Sequence, residues 1–498
     1  MPLLIALGGK VNLVTLLTGV CYTKLNVFHR YVGGLIFAFA TIHMIPHIYA
    51  PIKDGGFNYL AQLYIDKKRE LSGTILYFLF LIMVSLSVPW VRHRFYEFFV
   101  YTHIFLGLAF IGVLGWHIKG EYISPTYMYV AVGILCVQSF LRVCASRSLV
   151  SGFPTTLERL PGNVVRVTVE VSPQMRWQPG HHAFLRMPSI STLDNHPFTV
   201  ASVPTADPRH PNSPLSPNTN TLIFLIRARD GFTRNLALRT DADAALFQHQ
   251  DATSPAKPFP RIRTLVDGPH GGHAPRLHRT ADAVLLVAAG TGITAALPWV
   301  LRLAAAMGGG ERGARLRVVR LVWIVRTAES VGWARRELEG AVARAGRARV
   351  VVDVYVTGGR TPAVPVMKKK IEGGEGGEEW GRGCSGLGVL PTPPVSFRSG
   401  GSSTCGGGDV EGAGVGAAEQ AQESLEGGGG LFDVHYGRPV LRELVPTLVS
   451  GRRAYVMGCG PAGMKVELAN TVAELQLEMV VRARRMESIV LHTEDFGW

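Results

Sequence analysis

The chain has 498 residues, of which 47% are hydrophobic and only 18% charged, and that length has room for about three domains of ordinary size. A net charge of +14 would suit nucleic acid, but the Lys and Arg are scattered and no basic stripe interleaves with aromatics. The reading is therefore no nucleic acid: flanks of membrane helices, an anionic membrane surface and a phosphorylated cofactor account for the charge.

Apolar residues crowd into the first third. Stretches of about 20 apolar residues cross a bilayer, and four such stretches run over 29–50, 72–91, 98–118 and 126–144. A fifth, 3–20, is short and interrupted by Lys10 and Asn12, and reads as a helix end or an interfacial segment. Met1 opens no evident cleavable signal peptide. Lys24, Arg30, Arg92, Arg94, Arg142 and Arg147 fall on one set of loops and Lys53, Lys67, Lys68, Arg69 and Lys119 on the other. That split is too even to orient the bundle; the C-terminal part, which needs a cytosolic cofactor, orients it.

His29 and His43 lie 14 residues apart in one span, and His103 and His117 lie 14 apart in another. Fourteen residues turn an ideal helix by nearly four whole turns and span about 21 Å. Each pair therefore shares a face, with one histidine near each end. One span intervenes, so the two helices run the same way, with His29 level with His103 and His43 level with His117. Such an arrangement can clamp two stacked planar metallocofactors, each iron held by two imidazoles. Bis-histidine ligation leaves no open iron site, which favours electron transfer over oxygen binding. The competing reading is four unrelated polar residues lining the bundle, but ionisable residues are costly in a membrane and the spacing occurs twice. His47 and His93 lack matched partners and read as structural or interfacial.

From about 155 the pattern becomes short β-rich runs, VVRVTVEV (164–171), HAFLRM (182–187) and TLIFLIRA (221–228), with a Pro/Asn-rich loop at 204–220. This predicts a small antiparallel β-barrel. Within it, His196, Pro197, Phe198, Thr199 and Ser202, followed by Arg227, Gly231 and Thr233, can hold an isoalloxazine ring and a pyrophosphate; alone, the strand is also ordinary barrel sequence. From 283 strands and helices alternate: AVLLVAAG, a helix over 294–307, RLVWIV (320–325), a helix near 331–345, VVVDVYVT (350–357), AYVMGCG (454–460) and a helix over 462–476. That is the pattern of a parallel α/β sheet. Residues 359–432 are Gly-rich and interrupt it, and read as a disordered insertion. Gly290, Thr291, Gly292, Ile293 and Thr294 sit between strand and helix, where backbone N–H groups can meet phosphates. Cys459, Gly460 and Pro461 follow a later strand of the same sheet. Neither turn is a specific fingerprint by itself. The six cysteines, Cys21, Cys136, Cys144, Cys384, Cys405 and Cys459, include no CxxC, which fits a reducing cytosol.

In order and wording, VFHRYVGG, NHPFTVAS, AAGTGIT, YGRP and MGCGPAGM resemble the ferric reductase family of fungi and plants, related to the NADPH oxidases. The resemblance covers nearly all of the chain except 359–432. It implies FAD, NADPH and two b-type haems, with His29, His43, His103 and His117 on the haem irons and His196–Thr199 and Ser202 on FAD. It implies Gly290–Thr294 on the NADPH pyrophosphate and Cys459–Pro461 near the nicotinamide. Arg326 and Arg438 fall where related oxidases face the 2′-phosphate, and Phe496 to Trp498 resembles the terminal aromatic that covers the flavin. The implied fold is multi-domain: an α-helical transmembrane bis-haem bundle (1–148), an antiparallel β-barrel FAD domain (150–275) and an α/β NADPH domain (280–498). The implied activity is NADPH-dependent reduction of ferric or cupric chelates across the membrane, supporting reductive iron uptake. The implied place is an integral membrane protein, in the plasma membrane, with the FAD/NADPH part cytosolic and an iron permease/oxidase system as partner. Superoxide production and a non-catalytic relative remain the alternatives. Family members carry further membrane helices before the segment matching 1–20, so this chain is expected to start late. Ala289 replaces a glycine common in relatives, and its methyl could crowd the dinucleotide.

Overall fold

The computed structural model describes residues 1–120, 123–145, 152–191, 194–204, 219–248, 262–309, 313–346, 349–358, 432–481 and 486–494. The Gly-rich segment 359–431 and the aromatic C-terminus lie outside them.

Two short helices, α1 (Pro2–Gly8) and α2 (Leu13–Thr18), open the chain. The long α3 (Tyr22–Asp66) follows, then α4 (Lys68–Leu86), the short α5 (Pro89–Arg94), α6 (Tyr96–His117) and α7 (Ser124–Ala145). α3 is two helices joined at Gly56, where φ 71° and ψ −170° break the spiral. The bundle is apolar on the outside: Phe39, Ile42, Phe105, Leu108 and Phe140 are all exposed, as lipid-facing side chains are. Its small core is Phe80, Met83 and Phe110, packed by Ile36, Phe37, Leu106 and Leu114.

Beyond it come β1 (Phe153–Leu160), β2 (Val164–Val171), β3 (His182–Arg186), β4 (His196–Thr199), β5 (Asn220–Arg227), α8 (Gly231–Gln248) and β6 (Ile262–His270). The strands are antiparallel in the order β4-β3-β6-β1-β2-β5. Just past β4 the Ala201 N–H donates to the Ile223 carbonyl of β5 (2.7 Å), which brings the two edges together as a barrel. On β2, Val165, Val167 and Val169 all point into a core with Leu185, Phe224 and Leu236, the period-two pattern of a half-buried strand.

The last unit holds α9 (Leu277–Thr280), β7 (Ala283–Ala289), α10 (Ile293–Gly308), β8 (Val318–Val325), α11 (Arg335–Ala345) and β9 (Val350–Val356). It continues with β10 (Asp433–Tyr436), α12 (Leu441–Leu448), β11 (Arg453–Cys459), α13 (Ala462–Val481) and β12 (Ser488–Glu494). All strands are parallel, ordered β10-β9-β8-β7-β11-β12. α10 and α11 cover one face and α12 and α13 the other, with buried side chains in both layers. α10 is apolar enough to cross a membrane but is 72% buried here; its hydrophobicity serves the core of this sheet, leaving α3, α4, α6 and α7 as the candidate spans.

Candidate functional site

At the end of the bundle nearest the barrel, His29 and His103 stand level, as their spacing predicts. His29 and His103 face each other with ring centroids 6.3 Å apart and planes inclined at 70°. A metal between two imidazoles sits about 2.0–2.1 Å from each nitrogen, which puts the ring centroids roughly 6 Å apart, so the gap admits an iron atom. At the other end His43 and His117 line a cavity of about 240 Å³ together with Ile36, Phe80, Phe110 and Leu114, roughly twenty times what one water needs. Between the levels Phe80 and Phe110 pack edge-on at 5.1 Å. A Cβ added at Gly107, one turn beyond His103, would meet nothing within 4 Å, so this face of α6 is open where a planar group would lie. Ligand type and apolar walls fit haem at both levels, and the cavity gives room for it beside His43 and His117. His47, which reads as structural, holds its ring 4.8 Å from that of His43, tilted at 55°, and contacts Glu70 at 3.2 Å.

Contacts from neighbouring helices, not legible in the spacing of the histidines, explain why these rings stand where they do. His29 Nδ1 meets the Leu4 carbonyl of α1 at 2.8 Å. His117 Nδ1 lies 3.2 Å from Ser72 Oγ, and His103 Nδ1 lies 3.5 Å from Ser87 Oγ.

On the barrel, His196 to Thr199 form the edge strand β4, and all four are half-buried, so the edge is open to a ligand. The rings of His196 and Phe198 lie 5.2 and 6.3 Å from that of Phe232. Arg227 ends β5, exposed. Gly231 begins α8 with φ 55° and open space above it, and Thr233 closes the turn by donating to the Asp230 carbonyl (3.1 Å). A helix N-terminus approached by glycine and arginine can take a pyrophosphate. The Ser202 hydroxyl donates to the Thr221 carbonyl (2.8 Å) and accepts from the Ile223 N–H (3.2 Å), so it also helps close the barrel.

Barrel and bundle are joined through a polar cluster that the sequence reading missed. Asp267 of β6, only 8% exposed, accepts from Arg142 of α7 (2.7 Å), meets His270 (3.0 Å) and lies 3.9 Å from Lys10, the residue that interrupts the first apolar stretch. Burial by itself would raise the Asp267 carboxyl, but the His270 hydrogen bond and the Arg142 and Lys10 charges outweigh it and hold the group below the usual carboxylate range. Burial also pulls the Lys10 ammonium down to about 8, against the attraction of Asp267. Tyr22, at the start of α3, meets His182 Nε2 of β3 at 3.0 Å. β3 pairs with β4, His182 opposite Thr199, and Tyr22 precedes His29 by two helical turns, about 10 Å. The flavin-type strand is thus held close to the inner histidine pair.

In the α/β unit, β7 runs to β8 on one side and neighbours β11 on the other, so the chain reverses its strand order between β7 and β11. Ligands of such sheets bind outside the carboxyl ends at that switch point. Both glycine turns are there. Gly290 has φ 54°, and the Trp323 indole donates to its carbonyl (3.1 Å). A Cβ at Gly292 would sit 2.3 Å from the Cys459 carbonyl, so only glycine lets the two turns meet. Ile293 is core and the Thr294 hydroxyl donates to the Thr291 carbonyl (2.9 Å), leaving Gly290 and Thr291 to face a ligand. The Ala289 methyl points at Gly460, where an added Cβ would come within 2.9 Å; it packs between the turns. Pro461 is exposed at the start of α13. The Cys459 thiol is pushed up to about 12 by burial and by the Glu494 charge, so it is neutral and serves as a packing surface. Arg326 follows β8 and Arg438 follows β10, both exposed, with β9 between; two strand spacings are about 10 Å. Phe496 and Trp498 lie outside the described residues, although β12 ends with Glu494 beside Cys459.

Apolar helices joined to an antiparallel barrel and a doubly wound sheet make this an integral membrane protein carrying a ferredoxin-reductase-like FAD and NAD(P) unit. Residues 1–114 match the ferric reductase like transmembrane component, 152–274 an FAD-binding domain and 281–473 the ferric reductase NAD binding domain. A probable cell surface ferric reductase of Aspergillus oryzae is 33% identical over 346 residues, covering 68% of this chain and 43% of the relative. Ferric/cupric reductase transmembrane component 7 of Saccharomyces cerevisiae is 27% identical, covering 68% and 50%. A solved ferredoxin NADP+ reductase from Neisseria gonorrhoeae aligns over 69% of this chain and 98% of its own at 12% identity and a TM-score of 0.37. The chain belongs to the ferric reductase family, and it spans about half the length of the curated relatives it matches.

Proposed function

We propose that this chain takes reducing equivalents from NADPH on the cytosolic face and delivers single electrons to ferric or cupric chelates on the far side of the plasma membrane. The reading divides the work among 1–148, which spans the bilayer, 150–275, which holds FAD, and 280–498, which binds NADPH. Bound FAD would split a hydride into single electrons, and two b-type haems would carry them across the bilayer. The chain's own residues position and shield. His29 and His103 would hold the inner iron and His43 and His117 the outer. His196–Thr199, Arg227, Gly231 and Thr233 would seat FAD, while Gly290, Thr291 and the Cys459–Pro461 turn receive the dinucleotide. Arg326 and Arg438 would meet its 2′-phosphate.

The observation that supports this reading best is the His29–His103 pair, with ring centroids 6.3 Å apart, two helical turns along α3 from the Tyr22 contact with β3. Four histidine ligands would fill both irons and leave no site on them for oxygen or metal, so a chelate would be met by the chain's own residues at the outer cavity. The outer cavity is also lined by Arg69, Glu70, His47 and Tyr64, polar groups suited to a charged chelate. An iron permease and oxidase acting on the reduced metal are the partners this implies. The test is His→Ala at each ligand: positions 29 and 103 should remove the same haem, and 43 and 117 the other. NADPH-driven reduction of a ferric chelate should persist without oxygen and with superoxide dismutase; iron reduction that the dismutase abolishes would make superoxide the product instead.

A further inference from the structure

Iron takes a neutral imidazole through a bare ring nitrogen, so the other nitrogen must carry the proton. Which nitrogen that is depends on the hydrogen bond the other one makes. α4 settles it for both histidines of α6. Ser72 Oγ donates its proton to the Arg69 carbonyl at 2.9 Å, and Ser87 Oγ donates its proton to the Met83 carbonyl at 2.6 Å. With its single proton committed, each hydroxyl has only lone pairs to offer the histidine beside it. His117 Nδ1, 3.2 Å from Ser72 Oγ, and His103 Nδ1, 3.5 Å from Ser87 Oγ, must then be the protonated nitrogens, leaving Nε2 bare in each. The Leu4 carbonyl, which can only accept, imposes the same choice on His29.

The spacing is matched across the two helices. Ser72 and Ser87 lie 15 residues apart on the α4 side, and the histidines they meet lie 14 apart on antiparallel α6. Ser72 is fully buried. Its neighbour Gly73 has no side chain to obstruct His117, whose Cε1 would lie 2.8 Å from an added Cβ.

Resting on the haem-ligand reading above, we propose that Ser72 and Ser87 are positioning residues, one for each haem, which fix the His117 and His103 tautomers and ring planes and tune the two irons separately. A hydrogen bond from Nδ1–H makes the imidazole a stronger donor and favours ferric iron. Its loss should raise the potential of that haem alone.

The experiment is an optical redox titration of the haems in membranes holding the full chain, with Ser72→Ala, Ser87→Ala, Ser87→Thr, His103→Ala and His117→Ala. The histidine variants identify which transition belongs to which haem. Ser87→Ala should raise the transition that His103→Ala removes and leave the other in place, and Ser72→Ala should raise the one that His117→Ala removes. Ser87→Thr retains the hydroxyl and should titrate as wild type. Where a Ser→Ala chain releases haem, loss confined to the haem it faces upholds the proposal and loss of both overturns it. Unshifted potentials, shifts in the opposite haem, or equal shifts in Ser87→Ala and Ser87→Thr would also overturn it. A wild-type chain with no haem absorbance would remove the ligand reading itself, an outcome separate from all of these.

Discussion

Alanine substitutions at the two glycines of one turn, Gly290 and Gly292, should have different consequences. At Gly292 an added Cβ would stand 2.3 Å from the Cys459 carbonyl, and a backbone atom in a paired strand cannot give way. The β7 and β11 turns must separate, at a cost near the upper end of the about 1–3 kcal/mol typical of overpacking. For a unit of this size each kcal/mol is worth about 2–4 °C, so Gly292→Ala should melt roughly 6–12 °C lower. At Gly290 the added Cβ would touch nothing. The only penalty there is the φ of 54°, about 1–2 kcal/mol for a residue with a side chain. Gly290→Ala should therefore melt roughly 2–8 °C lower, yet place a methyl where phosphates approach, raising KM for NADPH by about tenfold or more. The assay is flavin release on heating, paired with NADPH-driven reduction of a soluble dye. A Gly292→Ala chain that melts like wild type would refute the turn-on-turn packing. A Gly290→Ala chain with unchanged KM would refute the placing of the phosphates.

Three further outcomes follow from the same structure. Burial, reinforced by the charges of His270, His181 and Lys10, holds His182 down to about 4. Because this lies below the ordinary value near 6.5, the unfolded chain binds the extra proton and stability falls as pH drops from about 6.5 to 4, by up to about 3 kcal/mol. His182→Gln should flatten the melting temperature across that window, and an equally steep profile would count against the buried neutral histidine. Asp267→Asn weakens the join between barrel and bundle, so NADPH-driven haem reduction should slow several-fold while dye reduction at the flavin is kept; equal slowing of both would place Asp267 elsewhere in the chemistry. Replacing Arg326 and Arg438 together with neutral residues should raise KM for NADPH far more than for NADH, and parallel changes would show that neither meets the 2′-phosphate.

The histidine pairs could be read without a structure because a helix converts sequence spacing into position, and 14 residues return to nearly the same face. The alternation of strand and helix after 283 fixed the parallel sheet for a similar reason, and the two glycine turns met at its switch point because strand order dictates where carboxyl ends lie. What could not be read were contacts across elements. Ser72 and Ser87 look like filler in an apolar helix until α6 is laid against them, and Lys10 looks like an interruption until Asp267 is seen beside it. Ser202 offers a hydroxyl suited to a flavin, and only the packed barrel shows that the same hydroxyl also ties β4 to β5. The first long helix ran past the expected end at 50 because Pro46 and Pro51 are accommodated within it and only Gly56 breaks the spiral. The helix expected near 331–345 begins at Arg335, after a tight turn over Ala328–Trp333.

The central claim is a continuous path from NADPH through the bundle to an external metal. Its most direct test is the haem spectrum of membranes holding the full chain, followed without oxygen as NADPH and then a ferric chelate are added in turn. The account predicts reduced b-type haem after NADPH and its reoxidation as ferrous chelate forms. Haem that stays oxidised while NADPH is consumed, or that stays reduced when the chelate arrives, would contradict it.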